Sequence, residues 1–248
     1  MEINVVSSLD GTSQPSLFYP TEGSIKRPLV VGLHSWSYDR FNLSEKLPAY
    51  AKKYNFNLLL PNFRGPNKEY NPEYQKACGS KYAIQDIYDA IEYVKNHYKI
   101  DENNVFLIGG SGGGHMALMC AANKPEFFKA VGAFCPVCDL KRWMGENSSY
   151  KNDVLACCNG DEKQMLERSP SSYAKELSQA NLKIFHGKFD KSVPYLQSFD
   201  LYTEITKANA KARVFLDVFD GGHSMNLDVG FDWLLSQYIE QELTQITG

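Results

Sequence analysis

The stretch that most constrains this chain is an apolar run at 105–108, then Gly109, Gly110, Ser111, Gly112 and Gly113, then an apolar-rich stretch at 115–122. Read as strand, sharp turn and helix, it sets one serine among glycines in the Gly-x-Ser-x-Gly pattern of a nucleophile elbow. A serine projected from so tight a turn sits in strained backbone, and side chains at the flanking positions would collide with the strand and helix being joined. The turn also opens a helix. Its first N–H groups have no partner inside the helix and lie where an oxyanion would form. Five residues of glycine and serine can match by chance, so the meaning of the pattern depends on which residues stand just past the ends of the other strands.

The rest of the chain alternates. Residues 3–19 read as a β-hairpin about an Asp10-Gly11 turn. Strands are expected at 28–34, 56–60, 130–134, 182–186 and 213–219, the first being a near-continuous apolar run of the kind covered on both faces. Helices are expected at 43–53, 82–98, 195–207 and 231–241. The second carries Ile84, Ile87, Tyr88, Ile91, Val94 and Tyr98 at helical spacing. Residues 137–181 hold no strand signal, and short helices are expected at 162–168 and 171–177. No linker or repeat interrupts the pattern. The expectation is therefore one α/β domain over residues 1–248, a doubly wound and mostly parallel sheet. The hairpin precedes it, and 137–181 form a small cap or pocket-wall insertion before the acid-bearing strand.

Composition narrows the partners. The net charge of −3 and a pI near 6.0 supply no field for nucleic acid. No apolar run reaches the ~18 residues a membrane span needs, and the start Met1-Glu2-Ile3-Asn4 lacks the basic, then apolar, character of a signal peptide. A cytoplasmic protein is expected. Six cysteines raise the question of disulfides or metal. Cys157 and Cys158 are adjacent, which is poor geometry for pairing with each other, and Cys135-Pro-Val-Cys138 has no second pair to complete a zinc site. Inert reduced thiols are expected, with no metal and no cofactor.

In doubly wound sheets, sites gather at the carboxyl ends of strands. Asp190 lies just past the 182–186 strand and His223 just past 213–219, giving the chain order Ser, Asp, His. A serine hydroxyl is a weak nucleophile at neutral pH, so His223 would take the Ser111 proton while Asp190 orients the imidazole. Opposing effects of Asp190 and burial place the His223 pKa within about a unit of the ordinary ~6.5. Asp139 is the reserve acid; His115, His186 and His97 read as structural. One oxyanion donor would be Gly112 N–H, and a second would come from the loop after 28–34, with Trp36 first choice and Ser35 next. Trp143 in the 137–181 segment and His34 are candidate substrate contacts, although a loop-organising hydrogen bond is the favoured reading of His34. Arg64 and Asp86 are expected to fix a loop flanking the site.

These residues carry a resemblance. The runs 9–12 (Leu-Asp-Gly-Thr), 33–37 (Leu-His-Ser-Trp-Ser), 62–65 (Asn-Phe-Arg-Gly) and 85–86 (Gln-Asp) resemble the α/β-hydrolase superfamily. So do 109–114, 168–170 (Arg-Ser-Pro), 186–190 (His-Gly-Lys-Phe-Asp), 193–194 (Val-Pro) and 221–223 (Gly-Gly-His). Within it the chain is similar to the catalytic domain of the prolyl oligopeptidase family and to related small esterases, of acetyl xylan or feruloyl type. The resemblance implies an acyl-enzyme at Ser111 and supports Asp190 and His223. Position 35 departs from it, being Ser where many relatives have Gly. The expected substrate is a small-molecule carboxylic ester, including acylated carbohydrate. A short peptide is the alternative, and a non-catalytic binding protein of this fold stands as a further one.

Overall fold

The computed structural model describes residues 1–247, with side chains to residue 238. Strands β1 (Glu2–Val6) and β2 (Ser13–Tyr19) pair antiparallel, with Ile3 opposite Ser16. Ile3 and Val5 point into the core while their neighbours face solvent, which is the period of two that made the hairpin legible. β3 (Arg27–Leu33), β4 (Asn57–Pro61), β5 (Ile100–Gly110), β6 (Ala130–Phe134), β7 (Leu182–Gly187) and β8 (Val214–Phe219) follow. Together they make one eight-stranded sheet in the order β1-β2-β4-β3-β5-β6-β7-β8. β2 meets β4 antiparallel, and every pairing from β4 to β8 is parallel. The architecture is the doubly wound α/β-hydrolase fold expected from the sequence.

Helices cover both faces. On one side α2 (Lys81–His97), α3 (Gly112–Asn123) and α8 (Leu196–Ala208) pack on Leu29, Val31, Leu107 and Ile184. On the other, α1 (Leu47–Tyr54) and α9 (Leu227–Thr247) pack on Val30, Phe106, Ile108 and Phe185. Alternate residues of one strand thus enter opposite cores, and each buried side chain contributes roughly 1.5–3 kcal/mol. This two-sided burial is why the strands read as unbroken apolar runs.

Two expectations about helices are corrected. The first helix begins at Leu47, not 43, because Pro48 fits only the opening turn, where no intrahelical N–H is needed. The 137–181 segment also holds two unforeseen helices, α4 (Leu140–Glu146) and α5 (Lys151–Cys157), besides α6 (Glu162–Glu167) and α7 (Ala174–Leu177). Among the described residues no helix is long and apolar enough to cross a membrane.

Candidate active site

Ser111 sits at the end of β5 with φ +56° and ψ −119°, a strained conformation for a residue with a side chain. The surrounding packing holds it there. Its N–H donates to Phe134 O at 2.8 Å, and its carbonyl accepts from His115 N at 2.9 Å. A side chain at Gly109 would strike the carbonyl of Gly113, and one at Gly113 would strike Leu33 O. The glycines are therefore required by the closeness of β3, β5 and α3.

The next two residues come from distant strand ends. His223 Nδ1 lies 2.6 Å from Asp190 Oδ2. An ionised carboxylate only accepts, so Nδ1 carries a proton in either charge state, and the neutral ring keeps its lone pair on Nε2. Asp190 Oδ1 also accepts from the backbone N–H of Ser192 at 2.8 Å and Val193 at 3.0 Å, and His186 Nε2 stands 3.2 Å from Oδ2. Burial favours the neutral acid, but hydrogen bonds from His186, His223 and Val193 outweigh it and hold Asp190 well below the usual carboxylate range. For His223, burial favours the neutral ring; the bond to Asp190 and contact with the Cys135 thiol overcome that and push the pKa up to about 9. This exceeds the value expected from the sequence. The sequence expectation set Asp190 against burial alone, and the Cys135 thiol beside the ring adds to the effect of Asp190.

Ser111 and His223 line one cavity of about 250 Å³, together with Leu33, Ser35, Tyr38, Asn42, Leu43, Gly110, Phe134, Cys135, Ser224 and Met225. Directly after Ser111, Gly112 opens α3, and a Cβ added there would lie 2.5 Å from Trp36 N. The amides of Gly112 and Trp36 are thus neighbours. The Ser35 amide donates to Asn42 Oδ1 at 2.9 Å, so the second-ranked oxyanion donor is already engaged.

Several expected contacts fall elsewhere. His34 is 3% exposed, stacks on Phe63 at 3.8 Å between ring centroids, and places its nitrogens 3.0 and 2.8 Å from the carbonyl oxygens of Ser35 and Asn62. Trp143 is 1% exposed and donates through Nε1 to Ser192 O at 2.8 Å. Neither lines the cavity, and the 137–181 segment contributes nothing to its wall. Asp139, the reserve acid, caps α4 by accepting from Arg142 N at 2.9 Å. His115 is buried, with Nε2 2.7 Å from Arg168 O. A larger cavity of about 880 Å³ is lined by Ser80, Tyr82, Gln164, Arg168 and Glu176, among others, and includes none of the three candidate catalytic residues.

The six cysteines are free and buried. Cys135, His186 and Asp190 place potential metal ligands within 4.8 Å of one another. His186 is nonetheless committed at both nitrogens, donating from Nε2 to Val193 O at 2.8 Å and accepting at Nδ1 from Ser198 Oγ at 2.7 Å. That leaves no nitrogen lone pair for a metal.

Sequence reasoning paired Arg64 with Asp86 but missed the other partners. The buried Arg64 guanidinium meets Asp86 Oδ2 and Glu73 Oε2, each at 2.5 Å, and Asp10 Oδ1 at 2.9 Å. Lys76 Nζ adds a contact to Asp10 at 2.8 Å. The hairpin turn, the loop after β4 and α2 are thereby tied at one cation.

Comparison with known proteins places this geometry in a family. Residues 42–237 match the prolyl oligopeptidase family. The chain belongs to that family. Among its relatives, the acylamino-acid-releasing enzyme of Rattus norvegicus is 28% identical over 203 residues, which is 76% of this chain and 28% of that protein. Acylamino-acid-releasing enzyme 1 of Oryza sativa subsp. japonica is 30% identical over 226 residues, covering 84% of this chain and 29% of its own length. The Pyrococcus horikoshii acylaminoacyl peptidase has the same fold, with a TM-score of 0.72 at 18% identity, over 90% of this chain and 37% of that one. This prolyl oligopeptidase family chain therefore spans less than a third of the length of those curated relatives.

Proposed function

We propose that this chain is a serine hydrolase that cleaves peptides whose amino end is blocked by an acyl group. The observation that carries the reading is the His223–Asp190 hydrogen bond at 2.6 Å, beside a cavity that His223 shares with a strained, projecting Ser111. His223 Nε2 takes the Ser111 proton as Oγ attacks the substrate carbonyl, and the N–H groups of Gly112 and Trp36 receive the oxyanion. His223 then gives its proton to the leaving amine. Water, activated by the same imidazole, releases the acyl group and restores Ser111.

The peptide alternative fits the family better than the ester expected from the sequence. Both curated relatives are named for releasing acylamino acids, and neither name supports a xylan or feruloyl ester. The cavity adds a chemical reason. No Asp or Glu stands among its lining residues, so it offers no counter-charge to a free ammonium, whereas a neutral acylamide needs none. The test compares N-acetyl-alanine p-nitroanilide, alanine p-nitroanilide and p-nitrophenyl acetate. The blocked anilide should exceed the free amine by about tenfold or more in kcat/KM. Hydrolysis of the ester alone, or preference for the free amine, would remove the reading.

A further inference from the structure

Ser111 lies between one open space and one filled space. The open side is the cavity already described, walled by Leu33, Leu43, Phe134 and Met225 and containing His223. The other side is an aromatic packet. Trp36 is 2% exposed, and its indole meets Trp143 edge-on at 4.8 Å and Tyr150 at 6.3 Å between ring centroids. Val137, Leu140 and Val193 belong to the same buried cluster. The packet reaches the elbow directly, because a Cβ added at Gly112 would lie 3.0 Å from Trp36 Cβ.

A tetrahedral carbon on Ser111 has three other substituents to place. Its oxygen faces the amides of Gly112 and Trp36. The leaving group must stay beside His223, which protonates it, and so departs through the open cavity. The acyl chain is left with the remaining side, beyond Gly112, where the Trp36 Cβ closes on the elbow and its indole leads into the packet. The two tryptophans of the packet also differ in how they are held. Trp143 anchors its N–H on Ser192 O at 2.8 Å, whereas Trp36 Nε1 is buried with no partner among the described residues. A buried indole N–H ordinarily finds an acceptor. The Trp36 carbonyl accepts from Asn67 N at 2.8 Å, while the indole is held in this space by packing alone.

We infer that the Trp36 indole plugs the acyl-side pocket of the site, so that only acyl residues with small side chains reach Ser111, and that Trp36 is the specificity-determining residue. The inference rests on the serine hydrolase reading proposed above and deepens it. Trp143 and Tyr150 form the floor that a larger acyl side chain would touch once the plug is removed, which gives Trp143 an indirect part in specificity.

The experiment compares the p-nitrophenyl esters of N-acetylglycine and N-acetylphenylalanine, which share a leaving group and differ only on the acyl side. The wild-type chain should favour the glycine ester by about tenfold or more in kcat/KM. Trp36→Ala should shift that ratio toward phenylalanine by about tenfold or more, and added indole should then compete with the phenylalanine ester. Should Trp36→Ala fail to fold, Trp36→Phe keeps an aromatic ring in a smaller volume and should still shift the ratio by about threefold. An unchanged ratio in folded variants, or a wild-type preference for phenylalanine, overturns the plug. An alkyl fluorophosphonate separates the two failures. Labelling of Ser111 with no change in the ratio sinks only the plug, while absence of labelling together with absence of turnover sinks the hydrolase reading and the plug with it.

Discussion

Ser111 is held at φ +56° because three elements meet around it, and the backbone cannot relax without parting β3, β5 and α3. If its hydroxyl is the nucleophile, Ser111→Ala should lower kcat/KM by about a thousandfold or more while the thermal transition barely moves, since one partly exposed oxygen is removed. A variant that keeps more than about a tenth of the activity would put the nucleophile elsewhere. The two acids separate as cleanly. Asp190 accepts from His223 and two backbone amides, so Asp190→Asn should cost about three to four orders of magnitude in kcat. Asp139 caps a seven-residue helix, so Asp139→Asn, which keeps a capping oxygen, should leave turnover near wild type. Steady-state rates of the two variants side by side check the assignment.

At the scale of elements, the Arg64 junction makes the clearest demand. One buried cation serves Asp10 from the hairpin, Glu73 from the loop and Asp86 from α2. Arg64→Ala would leave three carboxylates facing one another with only Lys76 nearby, and removing one partner of such a buried group costs about 3–5 kcal/mol. Urea denaturation should show a loss of that order; a change under about 1 kcal/mol would mean the junction is an ordinary exposed ion pair. This junction also shows where sequence reading stops. Arg64 and Asp86 were legible because one lies in the loop after β4 and the other near the start of the helix that follows, but Asp10 is far from Arg64 in sequence and meets it only through the fold. The parallel strands were legible because burial on both faces leaves unbroken apolar runs such as 28–34. Helices α4 and α5 were not, because seven residues span barely two turns and set no readable period. Of the site, Ser111, Asp190 and His223 stood out by their places after strands. Trp143 does not line the cavity, and an aromatic in a loop gives no sign of whether its neighbours will bury it, whereas His34 takes the loop-organising hydrogen bonds that a histidine after a strand end suggests.

For the whole molecule, the proposed role of one imidazole would link activity to stability with opposite signs. His223 has its pKa raised to about 9 by Asp190 and Cys135 against the effect of burial. A raised folded-state pKa stabilises the protein fully below the unfolded value of ~6.5, and that contribution is lost as pH rises through about 9. If His223 is the general base proposed above, catalysis needs the neutral ring, so log kcat/KM should climb with unit slope and level off only near pH 9. A plateau from pH 7 upward would mean that Asp190 does not hold the imidazolium in this way. The central claim is that the elbow, the imidazole and the acid act on one another, and mass spectrometry of the chain after reaction with a fluorophosphonate tests it most directly. One adduct per chain on Ser111, abolished by His223→Ala, is the predicted result. No adduct, an adduct on another residue, or undiminished labelling of Ser111 without His223 would contradict it.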